Sequence, residues 1–227
     1  MTKDCPECGQ ATPTTYTDLI AIIDKSGSMG SLANDTIGGF NGFLKEQREE
    51  EGLMKLTLVQ FDDKYEICYE GIDVCETEDL TDKTYKVCGM TALNDALGRS
   101  ITTARDRINK LAVGERPNRV MFVVITDGEE NSSKEFTLDQ VRELVKGQQD
   151  GEKWDFLFLG ADIDSFSEGG NLGVAAGTTL NYAKSAMGMS KAYETLGKSV
   201  TRVRGCGSAA FTDEERKENQ DEIDKLD

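Results

Sequence analysis

The sequence predicts an α/β protein with a doubly wound, mostly parallel six-stranded sheet and one antiparallel edge strand. Short runs of branched apolar residues, such as Leu19–Ile23 and Val120–Ile125, are typical of central strands covered on both faces. Between such runs, apolar residues recur at helical spacing, as in Ile37, Phe40 and Leu44. This alternation of strands and helices favours a doubly wound sheet.

The other elements continue the same alternation along the chain. The predicted strands are Leu19–Ile23, Leu56–Phe61, Tyr65–Tyr69, Val120–Ile125, Trp154–Leu159 and Thr178–Tyr182. Apolar residues at helical spacing predict helices across Ile37–Leu44, Leu93–Leu111, Leu138–Val145 and Ala192–Val203. The polar turn at residues 62–64 joins the second and third strands into a hairpin, which adds the antiparallel edge.

The predicted organisation is one domain with a segment at each end. Residues 1–16 form a leader with a Cys-x-x-Cys pair, 17–211 form the α/β domain, and 212–227 form an acidic tail. In the tail, Thr212 and Glu215 fit a capping box, which favours a solvated helix. The acidic composition of the tail is also typical of a disordered segment, so the sequence leaves both alternatives open. No element packed on the core is expected there.

The composition excludes several classes of function. The chain has 26 Lys and Arg against 42 Asp and Glu, and the net charge of −16 disfavours binding to nucleic acid or anionic membranes. Histidine is absent, which removes Ser-His-Asp and Cys-His catalytic groups. No apolar run is long enough to cross a bilayer, and Met1–Pro6 lacks the apolar segment of a secretory signal, so a cytoplasmic location is expected.

Oxygen-bearing side chains follow two predicted strands and open one predicted helix. Asp24-Lys25-Ser26-Gly27-Ser28 comes after the first strand, Thr91 precedes the long helix, and Thr126-Asp127-Gly128 follows the fourth strand. Ligands of open α/β sheets collect beyond the carboxyl ends of the strands. These three loops together offer hydroxyls and carboxylates at that end of the sheet.

An Asp-x-Ser-x-Ser motif, then a lone Thr and a Thr-Asp-Gly, resembles the metal-ion-dependent adhesion site of von Willebrand factor type A domains. The order of strands and helices over residues 17–203 is also similar to that fold. The resemblance implies a stand-alone intracellular protein-binding module without enzymatic activity. It implies a metal site formed by Asp24, Ser26, Ser28, Thr91 and Asp127.

In this family pattern the three hydroxyls bind Mg²⁺ or Mn²⁺ directly, and the two aspartates act partly through bound water. Mg²⁺ prefers octahedral oxygen ligands and gives up its water reluctantly, so hydroxyls and waters suit it. With few direct carboxylates, the ion stays electrophilic. The resemblance therefore implies a protein partner that presents an Asp or Glu.

Two other functions remain open from the residues. One is a metal-dependent hydrolase that uses Asp24 or Asp127, although no Walker-type phosphate loop is present. The other is a scaffold that acts through its two end segments. Asp95, on the first turn of the long helix, is a further candidate for reaching the metal site through water.

The cysteines suggest a second metal site as a further hypothesis. Cys5 and Cys8 have the spacing of one half of a zinc ribbon, but a second Cys-x-x-Cys is missing. Cys75 and Cys206 are candidates to complete a four-thiolate Zn²⁺ site. The alternative is free thiols on the leader.

Overall fold

The computed structural model describes residues 15–161, 164–205 and 207–226. These residues form a six-stranded sheet in the order β3-β2-β1-β4-β5-β6. The strands are β1 (Tyr16–Asp24), β2 (Leu53–Phe61), β3 (Tyr65–Asp73), β4 (Arg119–Thr126), β5 (Asp155–Ala161) and β6 (Thr179–Tyr182). Only the edge pair β2 and β3 is antiparallel, and the other neighbours are parallel. The predicted fold class is confirmed.

Six α-helices lie among the described residues. They are α1 (Ala33–Glu49), α2 (Leu93–Asn109), α3 (Leu138–Gly151), α4 (Ser165–Asn171), α5 (Ala186–Arg204) and α6 (Asp213–Ile223). The sequence did not predict the short helix α4. None of the helices in the described part of the chain is long and apolar enough to cross a bilayer.

The core has two layers because successive side chains of a strand point to opposite faces of the sheet. On β1, Leu19 and Ile23 pack with residues of α1 and α5, whereas Ile20 and Ile22 pack with residues of α2 and α3. All residues of β1 are buried. A central strand covered on both faces explains the uninterrupted apolar run of the sequence.

The strand order reverses between β1 and β4. The chain leaves β1 through α1 to reach β2 on one side, and it leaves β4 through α3 to reach β5 on the other. The two connections diverge, so a crevice opens beyond the carboxyl ends of β1 and β4. The loops after Asp24 and Thr126 lie at this crevice.

Helix α6 packs against α5 and β6, and this differs from the solvated segment that the sequence suggested. The capping box of Thr212 and Glu215 is present. Glu215 also forms two hydrogen bonds with Arg202, at 2.6 and 3.0 Å, and Asn219 is completely buried. The packed face of α6 is polar, which explains why apolar spacing did not reveal it. Arg216 of α6 donates to the carbonyl of Thr179 on β6 at 2.6 Å.

A buried arginine joins the ends of α1 and α5 at the end of the sheet opposite the crevice. Arg204, the last residue of α5, is 5% exposed. Its guanidinium donates to the backbone carbonyls of Gln47, Glu50, Glu51 and Gly52 at 2.7 to 3.2 Å. These carbonyls belong to the end of α1 and the turn into β2, so one side chain caps α1 and fixes α5 beside it.

Candidate metal centre

The first loop of the site is folded by the carboxylate of Asp24, the final residue of β1. Asp24 Oδ1 accepts a hydrogen bond from the backbone N–H of Ser26 at 2.6 Å. The hydroxyls of Ser26 and Ser28 lie 3.0 Å apart. The alternate residues of the motif therefore turn their oxygens to the same side of the loop.

Two hydrogen bonds join this loop to the one that follows β4. The hydroxyl of Ser28 donates to Asp127 Oδ1 at 2.6 Å. The hydroxyl of Thr126 donates to Asp24 Oδ2, also at 2.6 Å. Because β1 and β4 are parallel neighbours, with Ile23 opposite Ile125, the residues that end the two strands come side by side.

The hydroxyl of Thr91 lies at the same point. A Cβ atom placed on Gly128 would be 3.1 Å from Thr91 Oγ1, 3.4 Å from Ser28 Oγ and 3.9 Å from Asp24 Oδ2. Oxygens from the loop after β1 and from Thr91 therefore lie around Gly128 of the loop after β4. Glycine at 128 leaves that position open, and a side chain there would fill it.

The five predicted side chains thus converge beyond the carboxyl ends of β1 and β4, and only one of them is exposed. Asp24, Ser26, Thr91 and Asp127 are each at most 4% exposed, whereas Ser28 is open to solvent. The pKa of Asp24 is raised to about 6, mainly by burial and less by the nearby charge of Asp127, against the hydrogen bonds from Thr126 and Ser26. Burial therefore disfavours the ionised form of the Asp24 carboxyl group.

The donor set fits a hard divalent cation. Asp127 Oδ2 is buried and has no aligned hydrogen-bond donor within the described residues. The ammonium of Lys184 approaches this oxygen at 3.1 Å as an ion pair. No group of three or more acidic, thiol or imidazole side chains with metal-binding potential occurs in residues 15–161, 164–205 and 207–226. The site instead mixes two carboxylates with three hydroxyls, which are ligands that suit Mg²⁺ or Mn²⁺.

Asp95 has a different role from the one considered for it. Its carboxylate accepts hydrogen bonds from the backbone N–H groups of Lys134, Glu135 and Phe136 at 2.8 to 2.9 Å. Asp95 therefore attaches the loop after β4 to the start of α2. Nearby, Glu130 accepts from the backbone N–H of Asn94 at 2.8 Å and strengthens the same attachment.

Two buried tyrosines behind the site were missed from the sequence. Tyr85 donates its hydroxyl to the carbonyl of Asp24 at 2.5 Å, and Tyr182 donates to the carbonyl of Thr126 at 3.2 Å. Each bond holds the end of one of the two strands that carry the aspartates. Their place in the sequence, in a polar stretch and in a short edge strand, carries no local signal of this contact.

The possible thiolate site is only partly within the described chain. Cys5, Cys8 and Cys206 lie outside the described residues, and Cys75 is a free, exposed thiol. A Zn²⁺ site at Cys5 and Cys8 therefore stays a prediction.

The sheet order, the antiparallel edge and the crevice between β1 and β4 define a von Willebrand factor type A fold, as the motif predicted. Solved structures with this fold include the von Willebrand factor domain of the type V pili tip protein Mfa5 from Porphyromonas gingivalis. It has a TM-score of 0.60 and 10% identity, and the match covers 83% of this chain and 96% of that one.

A second similar structure is proximal thread matrix protein 1 from the mussel byssus. It has a TM-score of 0.56 and 16% identity over 82% of this chain, which spans 46% of the mussel chain. Another structure of the mussel protein has zinc in its metal-ion-dependent adhesion site, with a TM-score of 0.57, 16% identity, and coverage of 83% of this chain and 46% of that one. No protein-family model and no curated protein matches the sequence. At these identities the similarity establishes the fold alone.

Proposed function

We propose that this chain is a non-enzymatic protein-binding module that holds one Mg²⁺ or Mn²⁺ ion and captures an acidic side chain of a partner protein. The proposed metal-binding residues are Asp24, Ser26, Ser28, Thr91 and Asp127. The observation that carries the proposal is the convergence of their oxygens around the position next to Gly128. A zinc-occupied adhesion site in the mussel protein of the same fold supports a divalent metal at this edge.

Each group has a separate part in this proposal. The hydroxyls of Ser26, Ser28 and Thr91 are neutral ligands, and the two aspartates orient them and balance part of the ion's charge. Asp24 already accepts hydrogen bonds at both carboxylate oxygens, so it is suited to orienting its neighbours. A bound Mg²⁺ would supply an electrophilic centre with an exchangeable position.

The proposed partner chemistry follows from the exposure of the site. Ser28 is the exposed member of the set, so a partner would approach over this residue. A partner carboxylate is a hard oxygen ligand and matches a hard cation. One protein of this fold is a pili tip protein by name, which supports binding over catalysis. A cytoplasmic location stays part of the proposal.

Metal binding is tested with Ser28→Ala and a matched control, Ser31→Ala. Ser31 is an exposed serine of the same short 3₁₀ helix, Gly27–Leu32. We expect Mg²⁺ to bind the wild type and the control by calorimetry, and to bind the Ser28 variant at least about tenfold more weakly because one direct ligand is lost. Equal affinities in all three proteins would contradict the assignment.

A second measurement uses the stability that a bound ion supplies. At a free Mg²⁺ concentration of about 100 times Kd, the native state gains about 2.7 kcal/mol. For a protein of this size that gain raises Tm by roughly 5–10 °C. EDTA should remove the increase. If Tm were the same in Mg²⁺ and in EDTA, and calorimetry detected no heat of Mg²⁺ binding, the metal site would be refuted.

The partner is tested by affinity capture from the native host in Mg²⁺ and in EDTA, with the Ser31 variant as the positive control. We expect proteins that are retained by the wild type in Mg²⁺ and lost in EDTA or with Ser28→Ala. Recovery of the same proteins under all conditions would favour the scaffold function through the end segments.

A further inference from the structure

Lys184 forms an ion pair inside the proposed metal site. Its ammonium lies 3.1 Å from Asp127 Oδ2, and the side chain of Asp127 is completely buried. The other oxygen of Asp127 accepts the hydrogen bond from Ser28. One carboxylate oxygen therefore faces a hydroxyl of the site, and the other faces a cation that belongs to the protein.

The backbone around Lys184 is fixed on both sides. Ser185 donates its N–H to the carbonyl of Ala183 at 2.8 Å, which places Lys184 at the centre of a tight turn. Ser185 also caps α5 by accepting from the N–H of Gly188, and a side chain at Gly188 would collide with the carbonyl of Ala183. These contacts therefore fix the backbone position of Lys184.

The same turn is attached to the loop that carries Asp127. Tyr182, two residues before Lys184, donates its hydroxyl to the carbonyl of Thr126, the neighbour of Asp127. Lys184 and Asp127 therefore follow two strands, β6 and β4, whose ends are joined by this hydrogen bond. The side chain of Lys184 keeps 24% of its surface exposed, so it stands where the buried site meets solvent.

A unit positive charge at this place has opposite effects in the two states of the site. Without metal, it pairs with the buried carboxylate of Asp127. With metal, it repels a divalent cation held by the same carboxylate. One residue therefore stabilises the metal-free form and weakens the metal-bound form.

We propose that Lys184 is an internal counter-ion that shares Asp127 with the metal and sets the affinity of the site for divalent cations. This inference rests on the proposed metal site. Lys184 weakens Mg²⁺ binding, and it keeps the empty site folded by compensating Asp127.

The test compares Lys184→Met with Lys184→Arg and with a matched control, Lys191→Met. Lys191 lies on α5, has a side chain of similar exposure, 22%, and pairs with Glu194 and Glu218 away from Asp127. Mg²⁺ alone is the probe, and Kd is measured by calorimetry. Repulsion between a unit and a divalent charge at such short range predicts that Lys184→Met binds Mg²⁺ about tenfold more tightly than the wild type. Lys184→Arg and Lys191→Met should keep the wild-type Kd within about threefold, since the charge at the site is kept.

A stability measurement in EDTA supplies the second readout. Lys184→Met should lower Tm in EDTA more than Lys191→Met does, and the deficit should shrink or disappear in saturating Mg²⁺. A Kd for Lys184→Met that equals or exceeds the wild-type value would overturn the inference while leaving the metal site intact. Absence of Mg²⁺ binding in both the wild type and Lys184→Met would overturn the metal site and this inference together. Binding in the Lys184 variant alone would support the inference in its strongest form.

Discussion

Replacement of Arg204 tests whether one buried guanidinium holds the ends of α1 and α5 together. In the native protein, Arg204 donates to four backbone carbonyls and is 5% exposed, and burial lowers its pKa. Methionine at 204 would fill much of the same space with no donor. The carbonyls at the end of α1 would then depend on water or remain unpaired.

The expected cost follows from these contacts. A buried acceptor without a donor costs about 1–3 kcal/mol, but removal of the buried charge returns part of its own desolvation cost. We therefore expect Arg204→Met to lower the free energy of unfolding by about 3 kcal/mol. Tm should fall by roughly 6–12 °C for a chain of this length. Arg204→Lys keeps the charge but not the planar fork, so its effect should be intermediate.

The assay is urea unfolding followed by circular dichroism, with Arg105→Met as the control. The Arg105 side chain is 40% exposed and lies 3.7 Å from the carboxylate of Asp106. Its replacement should change stability by less than about 0.5 kcal/mol. If Arg204→Met cost no more than Arg105→Met, the reasoning about the buried carbonyls would be refuted. Mg²⁺ affinity should not change, because Arg204 lies at the end of the sheet opposite the proposed site.

Two further predictions concern a helix contact and the proposed metal site. Gly98→Ala should lower the free energy of unfolding by about 1–3 kcal/mol in urea, because the new Cβ would meet the ring of Phe136 at 2.5 Å. Gly42→Ala, at an open position of α1, should raise it by about 0.5–1 kcal/mol, and a loss as large as that of Gly98→Ala would contradict the packing argument. Thr126→Val keeps the shape but removes the donor to Asp24, so Mg²⁺ should bind about tenfold more weakly by calorimetry. Thr126→Ser should retain the wild-type affinity, and equal Kd values for the two variants would exclude this role.

The parallel sheet could be predicted because its cause is local in the sequence. A strand such as β1 is buried on both faces, and each of its residues from Leu19 to Ile23 must be apolar or small. The convergence of the five oxygen-bearing residues could also be anticipated, since parallel strands end at a common edge. Their role as metal ligands stays a prediction.

The features that the sequence did not reveal depend on polar contacts between distant residues. Helix α6 is held by the bond of Glu215 to Arg202 and by the burial of Asn219, so an apolar pattern is absent. Lys184 follows β6, two strands away from β4, and pairs with Asp127, and Tyr85 reaches Asp24 from a polar loop. Such contacts are visible only when the fold brings the partners together.

The packing of α6 on β6 also has a consequence for self-association. The outer strand of a sheet presents unpaired backbone groups that invite a strand from another molecule. Arg216 takes up the carbonyl of Thr179 on this strand, and the acidic helix that carries it repels like-charged copies. A chain shortened before Thr212 would lose both features, so we expect it to aggregate through the edge strand β6 more readily than the full chain.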